Sequence, residues 1–161
     1  MKVLLMTGAL FSCAVPAAGA ESLDIGGIEL QLGQKADNVL RLLSSYQVQY
    51  SGGSWVVGQK VGSAYEFLGT VGAMDNVVTS ISKSFQMTEP EAAPDIYTSA
   101  SNELHRRGGS NCSTREVAFT DGLIRGFETQ CGVYTLTYYM PSKTDGGVRV
   151  LGGVAISIRS Q

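Results

Sequence analysis

Apolar and polar positions change period several times along this chain, and each change marks an element. From Gln34 to Leu43, Ala36, Val39, Leu40 and Leu43 recur at i, i+3, i+4 and i+7, the spacing of a short helix with one buried face. Tyr46-Gln47-Val48-Gln49-Tyr50 then alternates, Gly52-Gly53 interrupts, and Trp55-Val56-Val57 follows. A tight turn at the two glycines sets Tyr50 opposite Trp55 and Val48 opposite Val57. Further strands are predicted over Ala64 to Val71 and, after a reversal at Asp75-Asn76, over Val77 to Phe85. In the latter, Val77, Ile81 and Phe85 share one face, and Ser80, Ser82 and Ser84 the other. Upstream, Ile28 to Leu32 reads as a strand or extended arm, and residues 21–27 as a short lead-in.

The pattern then begins again. Thr88-Glu89-Pro90-Glu91 has the spacing of a capping box, and Pro94 suits a first helical turn. A helix from Pro94 to Arg107 would bury Ile96, Tyr97, Ala100 and Leu104. His105, Arg106 and Arg107 complement its C-terminal dipole, and Gly108-Gly109 stops it. Next comes Cys112 to Cys131, which reads as a hairpin about a type I′ turn at Asp121-Gly122. Folded there, Phe119 faces Ile124, Arg115 faces Glu128, Thr114 faces Thr129, and Cys112 faces Cys131 at the separation a disulfide needs. Val133 to Met140, a loop at Pro141 to Gly147, and a last strand from Val148 to Arg159 complete the chain, with Val154, Ile156 and Ile158 on one face. The order is helix, four strands, helix, four strands. It predicts an α+β fold of tandem helix-plus-four-stranded-meander units, residues 21–87 and 88–161, with the helices packed on one face of an antiparallel sheet.

Residues 1–20 read as a signal peptide: Lys2, an apolar run from Val3 to Val15, and the small-residue site Ala18-Gly19-Ala20. The run is shorter than the roughly 20 residues a membrane span requires, so no membrane span is expected. Leu10-Phe11-Ser12-Cys13 resembles a bacterial lipobox, but Phe11 is bulky where that pattern has a small residue, so Cys13 is expected to leave with the leader rather than carry a lipid. A periplasmic or secreted chain then keeps Cys112 and Cys131, an even count for an oxidising compartment. Of 12 basic residues one is Lys2, and 14 are acidic, which leaves the mature chain weakly negative with both signs scattered. That distribution argues against nucleic acid or an anionic membrane as partner.

Leu32-Gly33-Gln34 and Val39-Leu40-Arg41-Leu42-Leu43, followed by the glycine, turn and strand between Gly69 and Phe85, resemble the SmpA/OmlA domain of bacterial outer-membrane lipoproteins. That domain shares its fold with the β-lactamase inhibitor proteins, which the tandem arrangement resembles further. The resemblance implies a protein-binding module, without catalysis or cofactor, whose partner is another envelope or extracellular protein. The alternative it implies is an envelope assembly or stability role.

Catalytic raw material is sparse. His105 is the only histidine and lies at a basic helix end, the cysteines are expected to be bonded, and the carboxylates occur singly, so neither a metal centre nor an acid–base pair is expected. No glycine run has a phosphate-loop setting. Asn111-Cys112-Ser113 matches a glycosylation acceptor only formally, its central residue being a bridged cysteine. The aromatic residues carry more weight. Tyr50 and Trp55, Tyr65 and Phe67, and Tyr134 and Tyr138 alternate on strands, where they either pack beneath the helices or stand on an open sheet face as binding anchors. Both faces carry apolar residues, so the pattern leaves these two arrangements open.

Overall fold

The computed structural model describes residues 21–85, 93–119, 124–139, 142–143, 149–150 and 152–160. Two hairpins lead. β1 (Ser22–Ile25) pairs with β2 (Ile28–Gln31) across Gly26-Gly27, and β3 (Gln47–Ser51) pairs with β4 (Ser54–Val61) across Gly52-Gly53. All four glycines have φ between 60° and 85°, the left-handed conformation a type I′ turn demands. Between the hairpins lie α1 (Ala36–Leu42) and a 3-10 turn, Leu43–Ser45. β5 (Ala64–Met74) and β6 (Val77–Phe85) follow, then α2 (Ala93–Gly108), β7 (Cys112–Phe119), β8 (Ile124–Cys131) and β9 (Tyr134–Tyr139). A two-residue pair, β10 (Ser142–Lys143) with β11 (Arg149–Val150), precedes β12 (Gly153–Arg159).

Eight strands form one antiparallel sheet in the order β3-β4-β5-β6-β12-β9-β8-β7. This overturns the expected α+β fold of tandem helix-plus-meander units with helices packed on one face. The chain is mostly β, with two α-helices among the described residues, and the strands of both halves are continuous through β6 and β12. The physical reason lies in the cover of the sheet. Residues 21–27, read as a lead-in, supply β1, whose Leu23 and Ile25 are fully buried against β6 and β12. Much of the apolar cover is therefore a β-hairpin, and α1 is only seven residues long, too short to cover a meander by itself. α1 is fixed by its N-terminus instead: the Ala36 amide donates to the Asn76 carbonyl at 2.9 Å, and the Asn76 side-chain amide donates to Asp37 at 2.9 Å.

Directly opposed residues of an antiparallel ladder share a face, so the registers sort the side chains. Ile81 faces Ile158, Ile156 faces Leu136, and Val71 faces Ile81. All are buried beneath β1, β2 and α2, together with Leu30, Leu104 and Val154. α2 contributes Ala100 and Leu104 against β8, β9 and β12. Two bulges interrupt the alternation. Thr79 is an extra residue between the pairs Gly72–Ser80 and Ala73–Val78, which turns Val78 inward and leaves Val77 exposed, contrary to the strict alternation expected of this strand. Leu68 is extra between the pairs Val57–Gly69 and Gly58–Phe67.

The disulfide hairpin has the expected register, from Phe119 opposite Ile124 to Cys112 opposite Cys131, with the sulfurs bonded. Tyr50 stands opposite Trp55, also as expected. The signal segment and Cys13, the capping box at Thr88 to Glu91, the Asp121-Gly122 turn and most of the Pro141 to Gly147 loop lie outside the described residues.

Candidate functional site

The six aromatic residues singled out in the sequence occupy four separate places. Tyr50 and Trp55 stand on the covered side of the sheet at its β3 edge, with ring centroids 5.7 Å apart and planes at 62°. With Leu40, Leu43, Tyr46 and Val48 they line a hollow of about 480 Å³ beside the 3-10 turn. Tyr50 remains 65 % exposed. Tyr134 is core: its ring is buried and its hydroxyl donates to the Ser22 carbonyl at 3.2 Å. Tyr138 meets Tyr97 of α2 edge to face, centroids 5.5 Å apart, and with Phe127, Ala93 and Pro94 lines a second hollow of about 360 Å³.

Tyr65 and Phe67 lie on the opposite face, which α2 and the β1–β2 hairpin do not cover. The Leu68 bulge places Phe67 opposite Gly58, and the Tyr65 ring lies over Gly58, filling the space where a Cβ would stand. Farther along this face the pleat presents short hydroxyls: Thr70 on β5, Ser80 and Ser82 on β6, Ser157 on β12, and Thr135 and Thr137 on β9. They line two polar hollows of about 330 and 240 Å³ that share Glu128, Thr137, Ser157 and Arg159. Thr137 is only 9 % exposed although it stands on the face the helices leave uncovered, so the surface is recessed there.

Charge on this face is partly self-paired. Arg115 on β7 donates to Glu128 on β8 through Nε at 2.9 Å and Nη2 at 2.6 Å. Burial, reinforced by the Glu128 charge, raises the Tyr139 phenol above its ordinary value. The face can therefore donate and accept hydrogen bonds through fixed hydroxyls and present Arg159 and the Arg115–Glu128 pair to an approaching polar surface.

Two constellations escape sequence reasoning because each joins distant elements. Beneath the sheet, Lys83 Nζ contacts Asp24 at 2.9 Å and Glu103 at 3.0 Å, while Arg107 reaches Asp24, Glu29 and Glu103 at 3.0 to 3.3 Å. Burial raises the Asp24 carboxyl, but the hydrogen bond and charge of Lys83 and the charge of Arg107 outweigh it and hold the group below the ordinary value. Glu29 is also lowered, chiefly by the hydrogen bond from Arg107. At the C-terminal end of α2, a His105 ring nitrogen and the Cys112 and Cys131 sulfurs lie within 4.8 Å of one another. The basic helix end and the neighbouring cysteine were visible in the sequence, but nothing local signalled their convergence.

No family model matches the chain, and no curated protein or solved structure matches it.

Proposed function

We propose that this is an exported, non-catalytic protein-binding module that engages a folded envelope or extracellular partner through the uncovered face of its eight-stranded sheet. The observation that carries the reading is the recessed patch around Thr137, where Ser82 and Ser157 supply hydroxyls beside the Arg115–Glu128 pair. A rigid sheet backs these groups, so little side-chain entropy is lost when a partner docks on them. Tyr65 extends the same face as an aromatic anchor. The first-half resemblance to the SmpA/OmlA domain and the signal-like leader point the same way.

The test uses the mature chain as bait in an envelope extract, with Ser82→Arg and Ser157→Arg introduced on the uncovered face. Recovery of a partner by the parent chain, and a drop of tenfold or more with the two substitutions at unchanged melting temperature, is the expected result. Equal recovery by both chains would count against this face. A second reading rests on Tyr50, which stands exposed against Trp55 on the sheet-edge strand β3. Loss of recovery with Tyr50→Ala alone would move the binding surface to that corner. The envelope assembly role suggested by the first-half resemblance requires membrane association, and a mature chain found wholly in the soluble fraction would exclude it.

A further inference from the structure

We propose that reduction of the Cys112–Cys131 disulfide converts the end of α2 and the base of the β7–β8 hairpin into a three-ligand site for a thiophilic divalent cation, held by His105, Cys112 and Cys131. The bridge joins cross-strand partners whose Cα atoms are 4.3 Å apart, so both sulfurs stay in one place when the bond opens. The last turn of α2 is pressed onto the same spot. A Cβ on Gly108 would lie 2.2 Å from the Cys131 carbonyl oxygen and 2.7 Å from its Cβ, so only glycine permits this approach. Three residues earlier, His105 is thereby carried to the sulfurs, and the three ligand atoms fall within 4.8 Å of one another.

The backbone holds one ring nitrogen of the imidazole and leaves the other able to ligate. Nδ1 lies 2.7 Å from the Ser101 carbonyl oxygen, which can only accept, so the proton sits on Nδ1 and the lone pair on Nε2. That second hydrogen bond is the arrangement that fixes tautomer and ring angle in metal-bound histidines. Two thiolates and one imidazole suit zinc, with metal–sulfur bonds of about 2.3 Å and one position left open. Cys131 and its sulfur are buried, whereas Cys112 is partly exposed.

A dithiol reductant therefore attacks the Cys112 sulfur. The Cys112–Cys131 bond breaks with its electron pair leaving on Cys131, and a mixed disulfide forms at Cys112. The reductant's second thiolate then displaces the Cys112 thiolate and closes the reductant's own disulfide. Two electrons pass from reductant to protein. The cation takes up both thiolates and releases any protons they carried.

The test uses cobalt(II) as the probe. The mature chain is reduced with dithiothreitol, exchanged anaerobically into reductant-free buffer and titrated with cobalt, with far-ultraviolet circular dichroism followed in parallel. Thiolate-to-cobalt charge-transfer absorption saturating at one equivalent, absent from the oxidised chain, is expected. His105→Ala should weaken cobalt binding by at least about tenfold, the lower end of the loss seen when only an outer-shell partner of a metal ligand is removed. Cys112→Ser should remove the charge-transfer band. A reduced chain that unfolds but refolds on cobalt addition also supports the site, because binding and folding are then linked. Absence of the band, equal affinity in the His105→Ala chain, or an unfolded reduced chain that cobalt does not restore would each overturn it.

Discussion

Arg107 Nη1 donates to Glu29 Oε1 at 3.0 Å, which ties the last turn of α2 to a strand 78 residues earlier. The same nitrogen reaches the Ser22 carbonyl at 3.0 Å, and Nε reaches Glu103 at 3.1 Å. Only 11 % of the Arg107 side chain is exposed. Arg107→Ala should therefore cost about 2 to 3 kcal/mol, near the lower limit for breaking a buried pair because Glu29 keeps much of its hydration. Urea unfolding measures this. A loss under about 0.5 kcal/mol would make the network no more than a surface feature.

The same cluster sets an acid limit. Asp24 and Glu29 titrate lower in the folded chain than in the unfolded chain, so the unfolded chain takes up protons first as the pH falls. Their contribution is complete above the unfolded values near pH 4 and is lost as the pH drops through the lowered folded values. Melting temperature should accordingly fall steeply below about pH 4, with a shallower slope in an Asp24→Asn, Glu29→Gln chain. Parallel slopes would show that other carboxyls control the transition.

Tyr134 and Tyr65 are both strand tyrosines, but they should behave oppositely. Tyr134→Ala removes a buried ring and should cost about 3 to 5 kcal/mol, while Tyr134→Phe loses the bond to Ser22 and should cost about 1 kcal/mol. Tyr65→Ala, on a ring 51 % exposed over Gly58, should stay within about 1 kcal/mol. Thermal denaturation of the three variants gives the ranking directly.

Opening the Cys112–Cys131 bridge, which joins residues 19 positions apart, releases a loop worth about 3 kcal/mol in the chain-entropy model. Non-reduced peptide mapping of the purified protein should show this bridge, and mild reduction in metal-free buffer should lower the urea midpoint accordingly. Two free thiols in the untreated protein would contradict the bond.

What the sequence disclosed was local. Opposed residues on either side of a short turn fix each other, so Cys112 with Cys131 and Tyr50 with Trp55 were legible from spacing and alternation. β1 was missed because four residues before Gly26-Gly27 carry too little pattern, although Leu23 and Ile25 are among the most buried in the core. The same gap accounts for the fold class, since that hairpin supplies cover that the pattern assigns to helices. Alternation sets Val77 on the face of Ile81 because it contains no mark of the extra residue at Thr79. The Asp24–Lys83–Glu103–Arg107 cluster and the approach of His105 to the cysteines join segments far apart in the chain, where no periodicity reaches.

β12 lies between β6 and β9 near the middle of the sheet, although it follows both in the chain. Until it is inserted, two long strand edges remain open side by side, each carrying unpaired amides and apolar residues. Closure of that seam joins residues 80–85 with residues 154–159 and is the most sequence-distant pairing in the sheet. Folding should therefore be slow for a chain of this size, on the millisecond-to-second scale of non-local β topologies. A chain truncated before Gly153 should expose both edges and aggregate rather than accumulate as two independent half-sheets.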